Sequence, residues 1–585
     1  MQQSGISEKL RPFLKVEYIL LAILLIAIAV RFSFLDLKLF HHDEAIHAWF
    51  SYQLMTTGGY VYDPVYHGPF LYHVTAAMFS LFGATDLVGR ILPCVFGCAL
   101  IPLLYWIYRM KFLSGKTVCI AALLIALSPT MIYFSRFLRN DVFVIFFSLL
   151  VIAAMLAWFT KKKWYWLALA AVAAALGLCC KENMPLIIIT FAVFLIYLLW
   201  TKKVILPKNW WKHAIAAVLI FFAIVFTMYT SFWQYPNMVI DAGQLAISHW
   251  LDMHNQQRLG GPAGYYFSIF VLYEMPILLL AIWGIIKFIL PKKKEAKPDA
   301  LSKTRPETPS ETRSEAQPDA RSETLPETES GIPASVPETA DSTAESAAPK
   351  KRCGEKLRAF FRRPEGPVQV NREHEFIRFA IFWMIISIIT YAYLGEKVPW
   401  LSLHQLLPMI LVAAFGLAVL KGKRQKVIAV ITVIFLCIVT GATVFVPADI
   451  NGPIVQVQNS EELRPLLEEM KNADRVAILS SQTTWPFMWY FCEDWGKNEK
   501  LTYFGTLIPQ RSAEFGTYDV LIAHDTESYE SLNGYDKRIQ RLSYWFDAIE
   551  TGGSGIGAVW NWLKFYFTRD GVSGSLNLAV YTRNT

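Results

Sequence analysis

Apolar residues in this chain gather in unbroken runs of roughly 20 positions, about the length a helix needs to cross a ~30 Å hydrocarbon layer. Runs of that kind lie at about 17–35, 85–108, 115–134, 142–160, 164–181, 184–201, 213–230, 265–287, 376–394, 401–420 and 426–446. They predict an α-helical polytopic membrane protein with about eleven spans. The segment Phe70–Phe82 is too short to span and is expected to lie along the membrane surface. With the amino terminus inside, the connections Arg109–Lys116, Lys161–Lys163, Lys202–Lys212 and Lys421–Lys426 all fall on the cytoplasmic side, as the positive-inside rule requires. The first run follows Lys9, Arg11 and Lys15 and has no small-residue cleavage site, so it reads as an uncleaved anchor in the plasma membrane.

Two regions break the pattern. Between a first membrane part, 1–290, and a second, 376–446, residues 291–375 hold a Pro-, Glu-, Thr- and Ser-rich stretch with almost no large apolar residues. Such a segment cannot bury enough surface to fold and is expected to be a disordered cytoplasmic linker. Its basic cluster at Lys350, Lys351, Arg352, Lys356, Arg358, Arg362 and Arg363 either rests on the anionic inner leaflet or is a solvated charge run. After the last run, residues 447–585 have mixed polarity, with strand-like Arg475–Ser480 and Tyr518–His524 and helix-like Ser460–Lys471, the signature of a small α/β domain. An odd number of crossings makes this domain extracytoplasmic.

Composition agrees and adds sidedness. The chain is 54% hydrophobic and 17% charged with a net charge of +8, which excludes an ordinary soluble protein; its Lys and Arg sit at the ends of apolar runs, so topology explains them better than nucleic acid does. The 447–585 domain carries twelve Lys and Arg against eighteen Asp and Glu, a net of −6, leaving +14 on the rest. The eight cysteines show neither a disulfide framework nor a zinc spacing.

Candidate chemistry collects on the outer side. The first outer loop holds five histidines and the acidic pair Asp43-Glu44, costly to bring near lipid; the pair is either functional or the start of a helix over 44–55 capped by Asp43. Three further outer corners carry Arg136 and Arg139 beside Asp141, Lys181 beside Glu182, and Glu396 beside Lys397. Outer connections should be poor in cations, so these four either form structural ion pairs or meet an anionic ligand, for which phosphate is the favoured class. The long outer loop 231–264 and the paired tyrosines that follow add Trp233, Tyr235, His249, Trp250, Arg258 and Tyr265, apolar plates and hydrogen-bonding groups suited to a sugar, although single interfacial aromatics also serve as membrane anchors.

At this point the residues are similar to a known family. The chain resembles the GT-C integral-membrane glycosyltransferases that use polyprenyl-phosphate sugars, in the group of protein O-mannosyltransferases and lipid A aminoarabinose transferases, closest to a prokaryotic branch labelled flippase-activity-associated in archaeal glycosylation. The resemblance covers the first ten spans and rests on Asp43-Glu44, His67-Gly68-Pro69 with Tyr72, Leu81-Phe82-Gly83 before Arg90, Asp141, Lys181-Glu182 and Gly395-Glu396-Lys397-Val398-Pro399-Trp400. The chain departs from the pattern at Gly68, where better known members have proline, and in its 291–375 insertion.

The resemblance implies inverting transfer of a sugar from a lipid-phosphate donor to a hydroxyl on a protein, lipid or glycan at the outer face. Asp43 would act as base, its pKa raised in a partly dry cleft, with Glu44 and Asp141 orienting groups or binding the acceptor. Lys181, Lys397, Arg136 or Arg139 would meet the leaving phosphate, with His67, Glu182, Arg258, Tyr265, Glu396 and His404 as binding residues. A non-catalytic lipid-glycan binding or flippase-associated role is the alternative, and a secondary transporter a third. No cofactor is required; His41, His42, Asp43 and Glu44 could ligate a divalent ion, a less favoured reading because adjacent histidines point in different directions.

Overall fold

The computed structural model describes residues 15–256, 261–290, 370–510, 513–548, 555–568 and 571–584. Most of the expected linker and its basic cluster therefore lie outside the described residues. Helix is present in all eleven apolar runs, because in a membrane each segment must satisfy its own backbone N–H and C=O groups. They differ in how far they reach. Among the described residues, Asp86–Arg109, Asp141–Lys161, Trp210–Tyr229, Arg372–Tyr393, Pro399–Ala418 and Gly422–Val444 are each long and apolar enough to cross a membrane. Val16–Phe32, Trp164–Cys180 and Met184–Trp200 have 17 residues, about 26 Å at 1.5 Å per residue, a little short of the hydrocarbon thickness.

Two runs that the hydrophobic pattern reads as continuous are broken. Gly115–Leu127 and Pro129–Ser135 meet at 60°, and Tyr265–Tyr273 and Met275–Ile289 at 107°. Both breaks converge on one carboxyl. Fully buried Glu274, in the second break, accepts from the Ser128 hydroxyl at 2.7 Å and the Thr130 N–H at 2.9 Å, so it caps the helix that starts after the first break. A 20-residue apolar window does not register one carboxyl, which is why the pattern runs straight through.

The bundle is graded from core to periphery. The helix Ser402–Ala418 is buried on almost every side, whereas Trp210–Tyr229 is exposed along nearly its whole length and presents its apolar surface to lipid. Ser402–Ala418 packs against Met275–Ile289 through small residues: a Cβ on Gly416 would stand 2.2 Å from the Leu280 carbonyl oxygen, and one on Gly284 2.5 Å from that of Val412. Backbone-to-backbone contact of this kind is how helices associate where no hydrophobic drive exists between them. Phe70–Phe82 is a helix with Phe70, Leu71, Tyr72 and Thr75 buried, so much of it packs against protein. Met238–Gln256, read from sequence only as part of a long loop, is a helix too.

Beyond the last membrane helix, the α/β domain forms as expected around a six-stranded mixed sheet. The strands are β1 (Gln458–Asn459), β2 (Val476–Ile478), β3 (Leu501–Tyr503), β4 (Val520–His524), β5 (Tyr535–Ala548) and β6 (Val572–Arg583), in the order β1-β5-β6-β4-β2-β3. The β2 strand runs parallel to β3 and β4, and the other pairs are antiparallel. The period of two sends Val520 and Ile522 into one core with the helix Leu463–Asn472, and Leu521 and Ala523 into another. Leu39, from the segment ahead of Asp43, completes the first core. The seven described cysteines are unpaired, as their spacing predicts.

The Gly416 contact yields a test. Gly416→Ala forces two backbones apart and should cost about 1–3 kcal/mol, read as a lowered thermal transition in detergent.

Candidate active site

The outer acidic pair divides its labour at a helix start. The helix His42–Thr57 is capped by His41, not Asp43: the His41 ring accepts from the Asp43 N–H at 3.0 Å, and the Glu44 carboxylate accepts from the His41 N–H at 3.0 Å, a reciprocal capping box. Asp43 is thereby released from the capping duty its sequence position suggests. Glu44 is consumed by structure. At 1% side-chain exposure it takes Arg90 on both oxygens, 2.9 and 2.6 Å, and the Leu138 N–H at 2.8 Å. These bonds tie the acidic helix to the following membrane helix and to the Arg136–Asp141 corner.

Asp43 keeps 24% side-chain exposure and is paired with Arg139, which lies 3.7 Å over the ring of Trp400. The same guanidinium reaches Asp141, with Nε 3.5 Å from its carboxylate. Asp141 opens the helix Asp141–Lys161 and is 2% exposed. It accepts from Lys181 Nζ at 3.0 and 3.2 Å and stands 3.1 Å from His404 Nε2. His404 stacks on Tyr391 and meets the Asn183 amide at 3.1 Å. Two carboxylates and two cations from three separate places in the chain thus share one buried cluster, with a histidine against one of the carboxylates.

A second branch joins at His67, whose Nδ1 is 3.1 Å from Glu182 and whose Nε2 is 3.5 Å from Arg139. Tyr62 donates to the other Glu182 oxygen at 2.9 Å. Gly68 is what lets His67 come so near. Its N–H donates to the Cys180 carbonyl at 3.2 Å, and a Cβ there would stand 2.1 Å from the Cys179 carbonyl oxygen. The departure from the family's proline is therefore required by this backbone contact, which proline could neither fit nor donate to.

The electrostatics correct one expectation. Burial acts to raise the Asp43 carboxyl, but the charge of Arg139, aided by His41 and His42, outweighs it and holds the group well below the usual carboxylate range. Glu182 is likewise lowered: burial opposes, and the hydrogen bond and charge of His67 prevail. Asp43 is an ionised counter-charge here, not the carboxyl of raised basicity that a dry cleft alone would produce.

The remaining predicted residues separate cleanly. Arg136 turns from the cluster and donates to the carbonyls of Val30, Arg31, Ser33 and Phe34, closing the C-terminal end of Val16–Phe32. Lys397 does the same for Arg372–Tyr393, donating to Tyr391 and Ala392, each at 3.0 Å, and to Leu394. Of the four unexplained outer cations, two therefore cap helix ends and two, Arg139 and Lys181, pair with carboxylates in the cluster. Glu396 is half-buried beside Lys397. Tyr265 packs on Tyr266, which contacts Tyr391 and so connects to His404. Arg258 lies outside the described residues.

The C-terminal domain grips the segment leading into Asp43. Tyr490 and Glu461 accept the N–H groups of Phe40 and Leu39 at 2.9 and 2.8 Å, and Asn459 and Gln458 donate to the carbonyls of Phe40 and Leu39. His41 also meets the Gln456 carbonyl. Trp489 and Tyr490 donate to Asp86 at 2.7 and 2.8 Å.

Residues 36–240, about a third of the chain, match the model of the dolichyl-phosphate-mannose-protein mannosyltransferase family. This family belongs to the group that the sequence motifs resemble. Solved structures similar to it include ArnT from Cupriavidus metallidurans bound to undecaprenyl phosphate, at 15% identity over 70% of this chain and 62% of that one, with a TM-score of 0.45. The oligosaccharyltransferase AglB of Archaeoglobus fulgidus, in complex with an inhibitory peptide and a dolichol-phosphate, matches at 12% identity over 87% of this chain and 69% of that one, TM-score 0.45. The S. cerevisiae protein O-mannosyltransferase Pmt1-Pmt2 complex, bound to its sugar donor, matches at 17% identity over 39% and 34%, TM-score 0.33. No curated protein matches the chain. Asp43, Glu44, His67, Asp141, Lys181 and Glu182, the residues on which most of the GT-C resemblance rests, all lie inside the matched segment.

The candidate metal ligands are otherwise engaged: His41 by its cap and Gln456, Asp43 by Arg139, Glu44 by Arg90. Among the described residues no group of three or more His, Cys, Asp and Glu is placed to hold a metal ion. Sequence reasoning missed Asn183, Tyr391 and Trp400 as parts of the cluster, and Arg90 as the partner of Glu44; each lay inside or beside a quoted motif.

Because Arg90 is 5% exposed, removing its partner leaves a buried charge uncompensated. Glu44→Ala should destabilise the protein by about 3–5 kcal/mol, visible as a large drop in thermal transition, whereas Asp43→Asn, which leaves Arg139 its contact with Asp141, should lower that transition by less.

Proposed function

We propose that the chain transfers a sugar from a polyprenyl-phosphate-linked donor to a hydroxyl acceptor at the outer face of the membrane, with inversion and with Asp43 as base. The observation that supports this most is Arg139, held between the one partly exposed carboxylate of the cluster, Asp43, and the buried Asp141–Lys181 pair. The family description over residues 36–240 supports the donor class. The charge pattern supports the sidedness: the short basic connections lie at the opposite ends of the helices and are cytoplasmic, and the sheet domain is extracytoplasmic.

In this reading the donor is a phosphodiester with one negative charge, and breaking its sugar–phosphate bond leaves a lipid phosphate with two. Fixed cations in a dry site favour that change, and Arg139 and Lys181 supply them. The new bond forms between the acceptor oxygen and the sugar's anomeric carbon, and the acceptor proton passes to Asp43. Because the leaving group is a phosphate, no protonating acid is needed. Arg139 couples the two halves: as its guanidinium turns toward the phosphate, Asp43 loses the counter-charge that holds it low, and burial then raises it toward useful basicity. The base is weak until a donor is bound. Glu44 positions the helix that carries Asp43, and Asp141 holds Lys181. This reading gives no step to a metal ion.

Asp43→Asn should lower transfer from a polyprenyl-phosphate sugar by about 10²–10⁴ while donor binding persists. Arg139→Gln should weaken donor binding and move the acid limb of the pH–rate profile upward, because burial then acts on Asp43 without its main opponent. A chelator should leave the rate unchanged. Wild-type protein that binds the donor but never releases sugar would instead favour a lipid-glycan binding or flippase-associated role.

A further inference from the structure

His47 takes no part in the charge pairs above, yet it lies among them. It sits four residues after Asp43 on the helix His42–Thr57, one turn on and on the same face, and is 3% exposed. The charged and titratable groups that act on it are Arg139, Asp43, His67 and Lys181, the cluster itself.

Its hydrogen bonding fixes its tautomer. The Tyr72 hydroxyl donates to the Tyr66 carbonyl at 2.6 Å, so its proton is committed, and toward His47 Nδ1, 2.8 Å away, its oxygen can only accept. His47 Nδ1 therefore carries the ring proton. Burial, first, and then the charge of Arg139 hold His47 well below the ordinary histidine range, so the ring is neutral. The neutral ring has one lone pair, on Nε2, and that atom is buried without a hydrogen-bond partner among the described residues. A buried acceptor left unsatisfied costs about 1–3 kcal/mol, and this one lies among the groups assigned to the substrates, where a bound molecule can supply the donor. The hydrogen bonds of Arg139 and Lys181 go to Asp43, His67 and Asp141 and not to His47, and the neutral ring suits a neutral O–H donor.

The geometry points to His47 as a substrate-binding residue: its Nε2 accepts a hydrogen bond from a hydroxyl of the donor sugar, or from an acceptor hydroxyl other than the one Asp43 deprotonates. The inference rests on the transferase reading. A sugar lacking that hydroxyl leaves the nitrogen unsatisfied, which makes His47 a selector for it.

The test uses the full chain in nanodiscs with dolichyl-phosphate mannose and dolichyl-phosphate glucose as donors, and water and octyl mannoside as acceptors. His47→Phe keeps the ring shape and removes the acceptor atom; His47→Gln returns an oxygen near the Nε2 position. Should His47→Phe not fold, His47→Asn keeps a polar group toward Tyr72 and leaves none at Nε2. The Phe or Asn variant should lose about 10–100-fold with an unchanged thermal transition, and the Gln variant should recover part of the loss. Weakened donor binding would identify a donor hydroxyl; unchanged donor binding with a raised KM for octyl mannoside would identify an acceptor hydroxyl. Wild-type rates and affinities in folded Phe or Asn variants overturn the assignment and leave the transferase reading standing. A wild-type protein that neither binds nor turns over these donors overturns both.

Discussion

Asp43 and Asp141 stand on one guanidinium, and this end of the helix bundle is arranged around how that charge is divided. Asp43 could not be held so far below the usual carboxylate range without it, and Arg139 could not stay 9% exposed without carboxylate partners. The sharing leaves the two acids unlike. Asp141 has Lys181 and His404 as further partners and stays satisfied if Arg139 moves, whereas Asp43 depends on Arg139 as its hydrogen-bonded cation. A mobile anion entering the cluster therefore competes with Asp43 alone.

The scaffold keeps that arrangement in register by pinning the ends of its helices. Arg136 and Lys397 close two C-terminal ends, Glu274 opens an N-terminal one inside the apolar region, and the Glu44–Arg90 pair bolts the acidic helix to the bundle. At Gly68 the backbone touches that of Cys179, so the distance between the segments carrying His67 and Glu182 does not depend on flexible side chains, and Gly416 seats the helix carrying His404 on Met275–Ile289 in the same way.

Much of this was legible in the sequence because the physics concerned is either one-dimensional or strongly sided. Twenty apolar residues in a row need no tertiary partner to be read as helix, and Asp43, Asp141, Lys181 and His404 were found because their charges or rings lay at the outer ends of such runs. What escaped has a partner far along the chain. Arg136 reads as a free cation until the carbonyls of residues 30–34 come near it. Glu274 is one polar residue among many apolar ones until Ser128 and Thr130 turn toward it. The lowering of Asp43 is a property of Arg139, 96 positions away, and burial alone predicts the opposite sign. Met238–Gln256 was lost because its polar residues made the segment resemble a loop.

The sheet domain holds the segment before Asp43 largely by its main chain: two N–H groups and two carbonyls at Leu39 and Phe40 are met by Tyr490, Glu461, Asn459 and Gln458. A clasp on peptide groups does not discriminate between side chains. Substitutions at exposed positions of this segment, such as Asp36, leave those four bonds intact, while Asn459 and Tyr490 have no equivalent freedom. Variation should accumulate unevenly along the held segment, with exposed positions such as Asp36 drifting while buried Leu39 and Phe40 and the residues that hold them stay fixed.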